Sequence, residues 1–177
     1  MKSLFQKEMN EEQYSLYEKA IQHIKQVNLN LLEEINELIN DYKSNRFEIT
    51  FHLENLSKEE KINYLIKLRE KLILMNDCDK VKIKVAQPLH PMCWAYHLSK
   101  IFPKNEIFKN FIMYGFCVPF YPTKPIMIAH YVFENGFNEV KDILAHELTH
   151  SLMNTKDLNA ENNKDAINDA WTLCFLY

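Results

Sequence analysis

Ile126-Met127-Ile128-Ala129-His130-Tyr131-Val132-Phe133, then Asn135-Gly136, then a run from about Asn138 to Met153 that contains His146-Glu147-Leu148-Thr149-His150, is the most informative part of this chain. The first segment is a nearly unbroken apolar and aromatic run, which predicts a strand over 126–133. Asn-Gly marks the turn that follows it. Beyond the turn, Val140, Ile143, Leu144, Leu148 and Leu152 recur at three- and four-residue steps, the period of a helix with one buried side. Four residues are just over one helical turn, so His146 and His150 project from one face and can grip a single ion.

The flanks are largely helical. From Glu11 to Tyr42, Tyr14, Tyr17, Ile21, Ile24, Leu31, Leu32, Ile35, Leu38 and Ile39 keep the helical period, and the length of the run predicts a bend near Val27-Asn28. Asn45-Arg46 interrupts it. Ser57-Lys58-Glu59-Glu60 has the form of a capping box and opens a second helix through about Leu74. Val81, Ile83 and Val85 alternate with lysines, as in a half-buried strand. Six prolines break up 88–125, leaving room for short strands or helical turns at Trp94–Ile101 and Phe111–Val118. A last helix is predicted from about Lys164 to Tyr177, with Ile167, Ala170, Trp171, Cys174 and Phe175 along it. No repeat or linker divides residues 1–177, so one α+β domain is expected.

Composition narrows the function classes. The chain has 177 residues, 47% hydrophobic and 25% charged, the balance of a globular protein. Its net charge of -3, with lysines spread among glutamates, offers no basic stripe for nucleic acid. No stretch reaches the roughly 18 consecutive apolar residues of a membrane span, and Met1 to Glu8 turns polar too soon for a secretory signal. The location is left open between the cytoplasm and export by another route. Cys78, Cys93, Cys117 and Cys174 form no C-x-x-C pair and read as free, mostly buried thiols. Only two glycines are present, which argues against phosphate-cradling loops.

The pentad therefore carries the chemistry. His146 and His150 are expected to bind zinc, which accepts imidazole and carboxylate ligands and leaves a position for water. Such an ion acidifies its water, and Glu147, between the two histidines, takes the proton and passes it to a leaving amine. The plainer alternative is an amphipathic helix whose two histidines cap the edge of a core. A third ligand should lie downstream, where no histidine follows His150. Asp157, Glu161, Asp165 and Asp169 are the acids available, and the residues alone do not rank them.

These features resemble the aspzincins, the deuterolysin and lysine-specific metallo-endopeptidase group. In that family H-E-x-x-H is followed by T-x-D, matched here by Thr155-Lys156-Asp157, and a later N-A-D-x-x-x-x-F segment is similar to Asn168-Asp169-Ala170 with Phe175. The opening helices, the stretch from Arg46 to Phe51, and an edge strand before the catalytic helix (Ile126 to Phe133) also have counterparts there. The resemblance implies a zincin-like fold, with helices packed on a small mixed sheet and the H-E-x-x-H helix lining the cleft. It implies Asp157 as third zinc ligand beside His146 and His150, Glu147 as catalytic base, and a protein or peptide substrate. The family continues D-x-x-Y-G, with the Tyr aiding the oxyanion, but Ala160 and Glu161 stand at those positions. Tyr131, His130 and Tyr177 are the substitutes considered.

The expectation is a monomeric zinc metallo-endopeptidase, with delivery as an effector or toxin-like peptidase one way to combine exported relatives with no visible signal. Two rivals are a cytoplasmic repressor-cleaving H-E-x-x-H peptidase, with Asp165 or Asp169 as ligand, and a zinc-stabilised binding module without activity. His90 and His97, around Trp94, read as exposed loop residues before a second metal site. His23 and His52 read as surface or packing residues, and Trp94 and Trp171 as core. If the 126–133 strand is an edge, a substrate peptide can add to it as a further strand.

Overall fold

The computed structural model describes residues 6–44, 56–117, 125–158 and 166–177. Arg46–Phe51, His52, Glu161 and Asp165 lie outside the described residues, as does the predicted start of the last helix at Lys164. The elements in chain order are β1 (Gln6–Lys7), α1 (Glu11–Ser44), α2 (Lys58–Met75), β2 (Ile83–Ala86), α3 (Trp94–Ile101), α4 (Glu106–Asn110), β3 (Gly115–Phe116), β4 (Ile126–Ala129), α5 (His130–Glu134), α6 (Phe137–Met153) and α7 (Ala170–Cys174). The class is mixed α+β, mostly helical, with one small mixed sheet.

The first helix runs as one element from Glu11 to Ser44, through Val27-Asn28. Asn28 is fully buried on the face that carries Ala20, Ile21, Ile24, Ile35 and Ile39. Its Nδ2 donates to the Leu72 carbonyl and to Asn76 Oδ1, both at 2.9 Å, and its Oδ1 accepts from the Tyr177 hydroxyl at 2.8 Å. A polar residue in the apolar stripe thus joins α1 to the end of α2 and to Tyr177. Asn28→Ala would strand the Tyr177 hydroxyl in the core. A loss of about 2–3 kcal/mol in chemical denaturation is expected.

The capping box at Ser57 forms as the sequence indicates. The Glu60 N–H donates to Ser57 Oγ at 3.3 Å, and the Ser57 N–H donates to Glu60 Oε2 at 2.9 Å. The sheet runs β1-β2-β4-β3. Strands β2 and β4 are parallel, with Ile83 opposite Ile126 and Ala86 opposite Ala129, while β1 and β3 pair antiparallel to β2 and β4. All four residues of β4 are buried.

Two expectations for 126–133 are corrected. The strand stops at Ala129 and the chain continues as the short helix α5, and β4 is central, not an edge. Both follow from burial on every side: Tyr131, Val132 and Phe133 are buried like the strand before them, and an apolar run without alternation does not separate strand from helix. Strand β3 takes the outer place on that side of the sheet among the described residues.

Gly136 has φ 91°, which side-chain-bearing residues seldom adopt, and it leads into α6. Val140, Leu144, Ala145 and Leu148 of α6 are fully buried, and the helix packs against α1, α2, α5, α7, β3 and β4. It is the centre of the core, and one face of its last two turns is polar.

Candidate metal centre

Helix α6 ends because Asn154 takes the left-handed conformation (φ 57°, ψ 48°), its N–H returning to the Thr149 carbonyl. Asn tolerates this geometry better than most residues. The reversal brings Thr155 back beside His150 and places Asp157 opposite the helix end. Thr155 is buried, and its Oγ1 donates to Thr149 Oγ1 at 3.1 Å. His150 Nδ1 lies 3.0 Å from the Thr155 carbonyl, an acceptor, so the ring donates from Nδ1 and keeps the Nε2 lone pair. A ligating histidine is ordinarily oriented in this way.

The two Nε2 atoms are 3.1 Å apart, and Asp157 Oδ1 lies 3.3 Å from His146 Nε2 and 3.4 Å from His150 Nε2. A tetrahedral zinc ion with bonds of about 2.05 Å spaces its ligand atoms about 3.3 Å apart. The three separations fit that edge length. Calcium fits poorly, since it takes six to eight oxygen ligands. The cluster of His146, His150 and Asp157 could therefore hold a metal of the zinc type. The histidines are buried while the Asp157 side chain is 56% exposed, so the cluster faces solvent on one side.

Electrostatics agree with the geometry. Burial pushes His146 below the ordinary histidine range, and nearby His150 adds to this, favouring the neutral ring that a metal requires. Glu147 is buried, and that burial pushes it up to about 7, with Asp157 adding to the rise and hydrogen bonds from Cys117 opposing it. A carboxyl group poised near neutrality suits proton transfer.

Asp169, weighed on sequence as a third ligand, is buried away from the cluster and otherwise engaged. Its Oδ2 accepts from the Thr172 N–H and hydroxyl at 3.0 and 2.8 Å, capping α7, and its Oδ1 accepts from the Leu158 N–H at 2.9 Å. With the Lys156–Asp169 bridge, this ties the Asp157 segment to the start of α7. That helix is shorter than the sequence implied, and its Trp171 is 44% exposed, its ring 4.2 Å from that of His146. Trp94 is likewise exposed, so neither tryptophan belongs to the core.

The substitutes considered for the oxyanion donor are committed elsewhere. Tyr131 donates to the Met113 carbonyl and stacks on Tyr96, and the Tyr177 hydroxyl is held by Asn28. His130 Nδ1 lies 3.3 Å from the Ala86 carbonyl, and its ring stacks on His97. His97 is thus a half-buried residue of α3, and His90 caps the turn at 91–93 through its Nδ1, so neither is a free loop histidine. His23 is an exposed surface residue whose ring stands edge-on to Phe137. Cys78, Cys93, Cys117 and Cys174 are free thiols. A cavity of about 710 Å³ lies between the start of α1 and β2, lined by Tyr14, Tyr17 and Lys82 among others, and includes none of the cluster residues.

Asn154 and Thr155 end the helix and turn the chain back, as the sequence indicates, but sequence reasoning missed the parts played by Thr149 and Gly115. Scarcity was the available signal for Gly115: a chain with only two glycines has few places where a side chain cannot stand. No helix among the described residues is long and apolar enough to cross a membrane. No family model, curated protein or solved structure matches the chain.

Proposed function

We propose that the chain is a zinc-dependent metallo-endopeptidase of zincin-like, aspzincin type. The observation that carries this reading is the triangle of His146 Nε2, His150 Nε2 and Asp157 Oδ1, sized for a tetrahedral ion, with the Glu147 carboxyl group on the same helix. When bound, zinc would supply Lewis acidity, acidifying a water and polarising a carbonyl. His146, His150 and Asp157 would hold it. Glu147 accepts the proton of the attacking water and delivers it to the departing amine, so the carboxylate is regenerated at each turnover.

Because β4 is central, a substrate strand has no free edge there. Strand β3, which lies against Glu147, is the better platform for an extended peptide, with main-chain hydrogen bonds aligning the scissile bond. Asp169 is spent on capping and on holding the Leu158 N–H, which favours Asp157 as the third ligand.

The test is metal analysis of the purified chain together with digestion of a peptide library. About one zinc per chain is expected, and a chelator should abolish cleavage that added zinc restores. Cleavage that persists undiminished in the metal-stripped protein would sink the proposal.

A further inference from the structure

We infer that Gly115 of the β3 segment is a positioning residue for Glu147, forming a seat for its carboxyl group that stays open only while position 115 carries no side chain. A Cβ placed on Gly115 would stand 2.5 Å from Glu147 Oε1, 2.7 Å from its Cγ and 2.9 Å from its Cδ. These are separations that real Cβ atoms do not tolerate, and they involve the body of the side chain as well as its tip.

Gly115 is not there for backbone freedom, since its φ is not in the positive range. Gly136 provides the contrast: a Cβ there would meet nothing within 4 Å, and its φ of 91° is the reason for glycine. Nor can β3 readily retreat from an added methyl group. Gly115 and Phe116 pair with Ile128 and Met127 of the buried central strand, and the Ala129 N–H is held by the Tyr114 carbonyl at 2.9 Å. The Glu147 side chain must move instead. A displacement of about 1 Å at a catalytic group can cost on the order of 100-fold in rate.

The seat itself is independent of the peptidase reading, and only its kinetic consequence rests on that reading. The first arm is a double-mutant cycle on thermal stability in the full chain, combining Gly115→Ala with Glu147→Ala. The shift in melting temperature caused by Gly115→Ala should differ by about 2 °C or more between the two backgrounds, as for residues in contact. The same shift in both backgrounds overturns the seat. In the second arm, Gly115→Ala lowers kcat about 10- to 100-fold with KM and zinc content nearly unchanged. If wild type cleaves peptides and Gly115→Ala does so with equal kcat, the inference is wrong. If wild type cleaves nothing while the stability coupling is present, the seat stands and the peptidase reading fails.

Discussion

Glu147→Gln is expected to keep its zinc and to lose peptide hydrolysis by about 1000-fold or more, within the range that a positioned general base contributes. The amide matches the carboxylate in size, so it still fits against Gly115. It cannot take a proton from water. The residue is not one of the three whose ligand atoms converge, so metal content should match wild type. Single-turnover kinetics beside zinc analysis separate the two quantities. Activity within about tenfold of wild type would remove Glu147 from the chemistry, and loss of zinc would make it part of the metal's support instead.

The second large effect is on metal affinity. Asp157→Ala should weaken zinc binding by more than the roughly 10- to 100-fold that follows removal of an outer-shell partner. Asp169→Asn should stay within that band, because Asp169 acts through the Leu158 N–H and not on the ion. Competition against a chromophoric chelator measures both variants on one scale. Among the described residues Asp157 forms ion pairs with His146 and His150 and is largely exposed, so the metal-stripped Asp157→Ala chain should unfold within about 0.5 kcal/mol of metal-stripped wild type. If Asp169→Asn lost zinc more completely than Asp157→Ala, the ligand assignment would be reversed.

The legible parts of this chain share a property: each depends on residues close together in sequence. The i, i+4 histidines, the Ser57–Glu60 box and the period of α6 are set by the pitch of one helix, which the chain carries with it wherever it packs. The alternating lysines likewise placed β2. The mistakes lie where an element's neighbours determine its state. Ile126 to Phe133 read as a strand to its end, yet only packing around Tyr131, Val132 and Phe133 could turn its second half into a helix.

By itself, the sequence determined that His146, Glu147 and His150 would share one helical neighbourhood, since local geometry requires it. The tertiary structure decided that a left-handed Asn154 folds Asp157 back onto them, and that β4 lies inside the sheet with β3 against the acid. It also decided that a buried Asn28 pins the helices together. Those outcomes depend on which surfaces meet and how closely, and residues far apart along the chain encode such contacts only jointly.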